Sequence, residues 1–339
     1  MAGDSLDMGR PFALYRKPGE GELIGVFQRD TALQLCPDLS GKGFVVAPFE
    51  SSRGMVLIQG DEVIRMDLPF LEPAPIKQIQ LPRGGKGEHM RLVNHGLEAI
   101  QQGRLQKVVL SKKWEVDLHK APIEIFQNLL QQYPQAFCYL LHHPKLGTWC
   151  GASPESLLRI KDGELGSMAL AGTLPHRDGE PPQWSEKEHG EQAMVTEYIR
   201  ERLGPFMGTL DVSQVESIRA GQLWHLRTRF TGTLSREADL RALVESLHPT
   251  PAVCGLPKEA ARDFILAHEN YDRSLYTGFL GELNLQGPGE LSLFVNLRCM
   301  ELKGDRAHVY AGGGITLGSD PLKEWIEIQN KSRTVLGSL

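Results

Sequence analysis

The sequence predicts an α+β fold in which large antiparallel β-sheets are flanked by helices. Many short apolar segments are joined by turns rich in Gly and Pro, and the helical segments between them do not follow a regular β-α-β alternation. No internal repeat, low-complexity tract or linker divides the chain. We therefore expect residues 1–339 to form a single domain, with a strand-rich N-terminal part over 1–90 and a motif-bearing part over 91–337.

The elements of this fold are predicted from apolar periodicity and from turn residues. Strands are expected over 107–118, 136–142, 148–152, 156–160, 165–171 and 223–234, with a hairpin formed by 291–302 and 306–311. Helices are expected over 92–102, 122–132, 237–247 and 258–267. Two further helices carry the residues of greatest chemical interest.

Each of these two helices has a clear start signal and a Glu-x-x-Glu pair preceded by lysine. Ser185-Glu-Lys-Glu188 is a capping box, which predicts a helix running to about Leu203. Asp320 followed by Pro321 supplies an N-cap and a first helical residue for the second helix. The chain therefore presents two acidic helices of similar design.

The paired glutamates fall on the apolar side of their helices. Glu188 and Glu191 lie on one apolar stripe at helical spacing, and Glu324 and Glu327 lie on another. Burying an unpaired carboxylate costs several kcal/mol, so inward-facing glutamates need cations. Carboxylate oxygens suit a hard ion such as Mg²⁺. The alternative is an ordinary solvated helix face.

The composition limits the kinds of partner. Hydrophobic residues make up 41% of the chain and charged residues 23%, and the formal net charge of −5 is not gathered into a block. Neither nucleic acid nor a membrane surface is therefore expected as a partner. Five scattered cysteines without a Cys-x-x-Cys pair predict neither a disulfide framework nor a zinc site. No apolar signal core or membrane-spanning run is seen, so the expected location is the cytoplasm.

Two residues are candidates for acid–base chemistry. Lys107 begins an apolar strand, where desolvation would favour a neutral amine that acts as a base. The alternative is a lysine that extends to solvent from the strand end. Glu155 separates two strand segments and becomes a general acid if its surroundings raise its pKa, whereas an ordinary loop acid is the alternative.

Other residues are suited to binding an anionic small molecule. Gly312-Gly-Gly314 follows a strand, and its bare backbone allows close approach of an anion or a planar ligand, although a tight turn is the alternative. Arg298 is suited to a two-pronged contact with a carboxylate, or to a local ion pair. Lys331 lies one turn after Glu327 and pairs with it or with a ligand. These residues alone predict a magnesium-dependent enzyme for a small carboxylated substrate.

Eight segments in register resemble the chorismate-using enzymes, a family that includes isochorismate, salicylate, anthranilate and aminodeoxychorismate synthases. The resemblance covers roughly residues 90–337. The segments are Lys-Val-Val-Leu-Ser (107–111), Ser-Pro-Glu-Ser-Leu (153–157), Leu-Ala-Gly-Thr (170–173), Lys-Glu-x-x-Glu (187–191), Leu-Trp-His-Leu (223–226), His-Pro-Thr-Pro-Ala-Val (248–253), Ala-Gly-Gly-Gly-Ile (311–315) and Glu-Trp-Ile-Glu-Ile-Gln-Asn-Lys (324–331).

Within the family, the segment over 248–257 is similar to the isochorismate synthases. Anthranilate-type enzymes usually have Thr-x-Ser-Gly-Ala-Pro-Lys where this chain has Ala-Val-Cys-Gly-Leu-Pro-Lys over 252–258. The resemblance implies Mg²⁺-dependent, reversible conversion of chorismate to isochorismate by a single chorismate-binding catalytic domain. The alternatives are a salicylate synthase that also eliminates pyruvate, an amine-transferring synthase, and a chorismate-binding protein without turnover.

The resemblance also implies roles for individual residues. Lys107 would be the general base that activates water for attack at ring C2, and Glu155 the general acid that protonates the departing C4 hydroxyl. Glu191 and Glu327 would hold Mg²⁺, supported by Glu188 and Glu324. The residues implied in substrate binding are Gly172, Thr173, His225, Ala252, Tyr276, Arg298, Gly312, Gly314 and Lys331.

Some features depart from the family pattern or leave a choice open. Lys112 stands where the family commonly has arginine, and Cys254 stands where a smaller residue is usual. The part before the first motif is shorter than in feedback-regulated anthranilate synthases, so a tryptophan-type regulatory site is not expected. No obligatory protein partner is expected. Menaquinone is the preferred destination of the product, with siderophores and salicylate as the other two.

Overall fold

The computed structural model describes residues 1–68, 81–82 and 84–339. Across these residues, 19 β-strands form two antiparallel sheets, and seven α-helices cover them. The predicted α+β architecture is therefore confirmed. No helix in this described part of the chain has the length and apolar character needed to cross a membrane.

The elements are labelled in chain order. The strands are β1 (Phe12–Arg16), β2 (Glu22–Phe27), β3 (Gln34–Leu35), β4 (Gly43–Ala47), β5 (Val56–Gln59), β6 (Glu62–Asp67), β7 (Lys107–Asp117), β8 (Phe137–His143), β9 (Gly147–Ser153), β10 (Ser156–Lys161), β11 (Glu164–Pro175), β12 (Asp211–Val212), β13 (Glu216–Ala220), β14 (Leu223–Thr233), β15 (Gly255–Leu256), β16 (Phe279–Leu283), β17 (Leu291–Val295), β18 (Cys299–Lys303) and β19 (Arg306–Ile315). The helices are α1 (Ala2–Asp7), α2 (Lys86–Gln101), α3 (Pro122–Gln132), α4 (Glu186–Leu203), α5 (Leu240–Leu247), α6 (Lys258–His268) and α7 (Pro321–Leu336).

Groups of consecutive strands alternate between the two sheets along the chain. The nine-stranded sheet has the order β15-β7-β19-β18-β9-β8-β1-β2-β6. The ten-stranded sheet has the order β12-β14-β11-β10-β17-β16-β4-β5-β3, and β13 also pairs with β14. The strands of the N-terminal part thus belong to both sheets.

Aromatic side chains join the inner faces of the two sheets. Phe137 of the nine-stranded sheet stacks on Phe294 of the ten-stranded sheet with ring centroids 4.0 Å apart. Tyr15 lies 5.2 Å from Phe44 across the same interface. These rings bury a large apolar area, which fixes the two sheets face to face.

The two acidic helices cover different sheets. Helix α4 packs on β11 through an apolar face that includes Val195 and Ile199. Helix α7 packs on β19 through Trp325, Ile328 and Val335. Ser185 caps α4 and Asp320 caps α7, as predicted. The start of α2 differs from prediction, since the helix begins at Lys86 rather than at position 92.

The prediction of one continuous strand over 291–302 is wrong. Strand β17 lies in the ten-stranded sheet and β18 in the nine-stranded sheet, so the chain crosses between the sheets at 296–298. Arg298 takes a left-handed backbone conformation there, with φ of 49°. The sequence does not mark the crossing, because its polar residues Asn296 and Arg298 continue the alternation expected of a single strand and are themselves buried.

Candidate active site

A cavity between the two sheets collects most of the predicted site residues. Its empty space, which includes the open mouth, is about 620 Å³. Its walls come from β7 and β19 on one side and from β11 and β14 on the other. The predicted residues that line it are Glu155, Gly172, Thr173, Glu191, His225, Ala252, Tyr276, Arg298, Gly312, Gly314 and Lys331.

Lys107 is not itself a lining residue of this cavity; it lies beside Glu191, which is. Its side chain is fully buried, which excludes the solvent-exposed alternative, and its Nζ lies 3.0 Å from Glu191 Oε1. This contact does not have hydrogen-bond geometry, and the Lys107 amine has no hydrogen-bond partner among the described residues. Burial alone would raise the pKa of Glu191, but the charges of Lys107 and the neighbouring lysines outweigh it and lower that pKa.

The glycines of β19 make room for this pair. Gly314 lies opposite Val109 on β7, and a Cβ at Gly314 would overlap Glu191 Oε1 and lie 3.0 Å from Lys107 Cε. The absence of a side chain at this position lets the amine and the carboxylate meet. The close-approach reading of the triple glycine is therefore the one that the structure supports.

Glu155 lies in the short connection between β9 and β10 and is 2% exposed. Its backbone carbonyl accepts a hydrogen bond of 3.0 Å from the amide of Val295, which fixes the connection against β17. Burial raises the pKa of Glu155 to about 8, although Lys107, Lys331 and Arg298 act in the opposite direction. The carboxyl is therefore protonated at neutral pH and is suited to donate a proton.

Arg298 and His225 form a polar wall of the cavity. His225 Nδ1 donates to the Gly172 carbonyl over 2.9 Å, so its Nε2 is free of hydrogen and accepts from Arg298 Nη2 over 3.3 Å. Burial, followed by the charges of Arg298 and Lys331, lowers the pKa of His225 to about 3. The ring therefore stays neutral and holds the guanidinium in place without repelling it.

A second polar group lies around Gly312. The Lys331 amine donates to the Gly312 carbonyl over 3.0 Å and lies 2.7 Å from Glu327 Oε1. A Cβ at Gly312 would lie 2.8 Å from the Tyr276 hydroxyl oxygen, so that hydroxyl faces the bare backbone. Arg298, Lys331 and Tyr276 together give the cavity the donors that carboxylates need.

The turn of β11 shapes the opposite side. Gly172 has φ of 70°, in the left-handed region that favours glycine, and the pairing of β11 with β14 shifts register just after Ala171. Thr173 follows this irregularity and lines the cavity. Ala252 faces the same space from the loop before β15, where its methyl group adds an apolar patch.

The other three predicted acids lie in an adjoining recess that shares Thr173 with the main cavity. Glu188, Glu324 and Glu327 line it, so the two acidic helices meet at this place. Glu188 accepts from the amide and hydroxyl of Ser185, which is its part in the capping box. Glu324 is 1% exposed, and its Oε1 lies 2.6 Å from the Lys187 amine.

The donor set suits a hard cation. Burial and the charge of Glu327 raise the pKa of Glu324 to about 7, and Glu324 Oε2 is buried with no hydrogen-bond partner among the described residues. The carboxylates of Glu191, Glu324 and Glu327 are each paired with a lysine. As they stand, no three acidic, thiol or imidazole groups in the described ranges converge on one point. The residues fit Mg²⁺ by chemistry, and their role as ligands stays a prediction.

Several wall residues were not singled out from the sequence. Tyr310, Thr277, Val109 and Val253 all line the cavity. Tyr310 lies two residues before Gly312 on the same strand, so strand alternation places both on one face and supplies a signal for it. Thr277 lies in a turn with φ of 60°, a conformation that the sequence does not indicate for a β-branched residue.

Comparison with known proteins places the chain in a family. Residues 72–337 match the family described as chorismate binding enzyme. An Aeromonas hydrophila protein assigned as an isochorismate synthase is 38% identical over 247 residues, which is 69% of this chain and 62% of that relative. Isochorismate synthase MenF of Escherichia coli is 35% identical over 261 residues, which is 73% of this chain and 59% of that relative. The matched segment thus spans about three fifths of these curated relatives.

Solved structures agree in fold. A Bacillus anthracis protein assigned as a 2,3-dihydroxybenzoate-specific isochorismate synthase superposes with a TM-score of 0.84 at 26% identity, covering 100% of this chain and 99% of that one. The menaquinone-specific isochorismate synthase MenF of Escherichia coli gives 0.77 at 25% identity, covering 96% and 88%. On the match over 72–337, the chain belongs to the chorismate binding enzyme family.

Proposed function

We propose that this chain converts chorismate to isochorismate, reversibly and with Mg²⁺ as cofactor. The observation that carries the proposal is a buried carboxyl with a raised pKa in the cavity, Glu155, together with a buried amine, Lys107, that contacts the lining residue Glu191. The relatives assigned as isochorismate synthases support it. Chorismate is a small dicarboxylate, which agrees with the donors around Arg298, Lys331 and Tyr276.

The reaction exchanges one water for another. As the general base, the Lys107 amine takes a proton from water as the oxygen bonds to ring C2, and the ring double bonds shift. The C4–O bond then breaks, and Glu155 gives its proton to the departing hydroxyl, which leaves as water. One water enters and one leaves, so the product is an isomer of the substrate. The final state, protonated Lys107 and ionised Glu155, is the starting state for the reverse reaction.

Mg²⁺ would be held by Glu191 and Glu327, with Glu188 and Glu324 supporting it. When bound, it would draw electron density from the diene through the ring carboxylate. Within the cavity, the neutral imidazole of His225 orients Arg298, and Arg298 in turn faces the substrate carboxylates. The low exposure of Lys107 and Glu155 keeps bulk water from competing for their protons.

The alternatives within the family differ in their products. Salicylate synthesis would add the elimination of pyruvate, and an amine transfer would need ammonia in place of water. Ala252 and Val253 give the cavity an apolar wall beside the proposed ring position, in contrast to the polar Thr-x-Ser pattern of anthranilate-type enzymes. This argues against the amine-transferring synthase, whereas released pyruvate is the observation that would identify a salicylate synthase. A chorismate-binding protein without turnover would not need the raised pKa of Glu155 or the buried amine of Lys107, which argues against this alternative.

For the destination of the product, we favour menaquinone, with siderophores as the second candidate. The menaquinone-specific enzyme of Escherichia coli is 35% identical in the matched segment. The siderophore candidate follows from the 2,3-dihydroxybenzoate-specific protein. Menaquinone content of the native host after deletion of the gene separates the two.

The assay of purified protein with chorismate tests the proposal. Products are separated by chromatography and identified by mass and proton NMR, with and without Mg²⁺ and with and without ammonia. Isochorismate formed only with Mg²⁺, at a partial equilibrium reached from both sides, is the expected result. Salicylate with pyruvate, or an aminated product, would move the chain to a different activity in the family.

A further inference from the structure

A buried ion pair that the proposed reaction does not use lies behind the cavity wall. Arg273 and Glu269 are both about 2% exposed in their side chains. The contact is two-pronged, with Arg273 Nε donating to Glu269 Oε2 over 2.8 Å and Nη2 to Oε1 over 2.7 Å. Within the described residues, neither side chain is part of the cavity lining. A charge pair this deep costs desolvation energy, so its retention calls for a reason.

The remaining hydrogen-bond donors of Arg273 all go to residues of the cavity wall. Nη2 donates to the Val109 carbonyl over 2.7 Å, and Nη1 donates to the Val253 carbonyl over 3.0 Å and to Thr277 Oγ1 over 3.3 Å. With the two bonds to Glu269, these three bonds use all five N–H groups of the guanidinium. All three acceptor residues line the cavity.

These acceptors belong to three separate segments, each of which carries a proposed site residue. Val109 is two residues after Lys107 on β7. Val253 follows Ala252 in the loop before β15, and Thr277 follows Tyr276. One planar group therefore sets the spacing between the strand of the base, the apolar wall and the substrate-binding tyrosine.

Glu269 extends the same hold along β7. Its Oε1 accepts from the amide of Ser111 over 2.7 Å and from the Ser111 hydroxyl over 2.9 Å. The pair thus contacts β7 at two points, Val109 and Ser111. A strand fixed at two points keeps a defined position along its axis.

We infer that Arg273, held by Glu269, is a positioning residue that aligns Lys107 with the ring-binding part of the cavity. Its kinetic consequence rests on the proposed function. Lysine does not replace it, because an ammonium has three donors on a flexible stem and lacks the planar five-donor fork.

The test compares Arg273→Lys with Arg262→Lys, a control on α6 whose side chain is 42% exposed. In Arg273→Lys we expect kcat to fall about 10- to 100-fold, because a small misplacement of a reacting group costs about this much. KM for chorismate should stay within about threefold, and the pH limbs should not move, since the pair exchanges no proton with substrate. The control should match the unsubstituted chain. An unchanged kcat in folded Arg273→Lys, or a displaced pH limb, would overturn the inference.

A second readout does not depend on turnover. Amide hydrogen exchange is measured in the segments containing Val109, Val253 and Thr277, for Arg273→Lys and for Ser111→Ala, a milder change that removes one bond to Glu269. Exchange in these segments is expected to be faster than in the unsubstituted chain, with a smaller effect in Ser111→Ala. If Arg273→Lys does not fold, Ser111→Ala alone is used for the test. Unchanged exchange in all three segments refutes the positioning role. Faster exchange in a chain that makes no isochorismate would refute the proposed function and leave the positioning role standing.

Discussion

Replacing Glu155 with glutamine should make the protein less active and, at alkaline pH, more stable. The substitution keeps the size of the side chain and removes its proton exchange. If Glu155 is the general acid, kcat should fall by about 10²–10⁴. The unsubstituted enzyme should lose forward activity as the pH rises through the pKa of about 8, since the ionised carboxyl has no proton to donate.

The stability effect follows from the same pKa. Burial moves it from the usual 4.5 to about 8, which corresponds to about 5 kcal/mol against the ionised form in the folded state. A group with a raised folded-state pKa binds its proton more tightly when folded, so its contribution is complete below pH 4.5 and is lost as the pH rises to about 8. Glu155→Gln avoids this loss. From pH 5 to pH 9, we expect its free energy of unfolding to rise by at least ~2 kcal/mol relative to that of the unsubstituted chain.

Urea unfolding at pH 5, 7 and 9 measures this difference, with Glu164→Gln as a control at an exposed position on β11. The control should follow the unsubstituted chain at every pH. A free-energy difference between Glu155→Gln and the unsubstituted chain that stays constant with pH would show that Glu155 is not a buried neutral acid. Glu155 would then lack the proton that a general acid must donate, and its assignment to that role would be refuted.

Three further outcomes follow from the site. Lys107→Gln should lower kcat by about 10²–10⁴, while calorimetry still detects chorismate binding. The control Lys161→Gln, on the exposed side of β10, should leave kcat unchanged. An equal loss of kcat in both variants would refute a catalytic Lys107. Chelation with EDTA should abolish activity, and added Mg²⁺ should restore it. Glu191→Gln should need at least about 10-fold more Mg²⁺ than the unsubstituted chain for the same activity. Full activity in EDTA would exclude Mg²⁺ as a cofactor. Gly314→Ala should lower kcat about 100-fold, because the added Cβ would overlap Glu191 Oε1. The control Gly166→Ala, which has open space around its Cβ, should leave kcat unchanged. A fully active Gly314→Ala would contradict the packing described.

Local signals in the sequence were sufficient for the elements with clear ends. The capping box at Ser185 and the Asp320–Pro321 start placed α4 and α7 correctly, because caps act within one turn of the chain. The strand from Lys107 and the helix from Pro122 also agree with prediction. The crossing at Arg298 could not be seen, because it depends on which sheet each apolar segment joins, and that choice is made by contacts far away in the chain.

The candidate site shows the same division. The acidic helices and the triple glycine were found from local pattern, whereas the gathering of eleven predicted residues around one cavity required the structure. Periodicity does not reveal that Glu191 would meet Lys107 rather than another cation. The hydrogen bonds from Arg273 to three separate segments also could not be predicted from the sequence, because their acceptors are two backbone carbonyls and one threonine hydroxyl.

The most direct test of the central claim is the reaction of chorismate in ¹⁸O-labelled water with Mg²⁺. If Lys107 activates water for attack at C2 and Glu155 releases the C4 hydroxyl as water, each isochorismate molecule carries one ¹⁸O, located at C2 by mass fragmentation. Unlabelled isochorismate would mean that the hydroxyl migrates within the substrate, which contradicts the proposed roles of both residues. No isochorismate at all, with chorismate and Mg²⁺ bound, would contradict the proposed function itself.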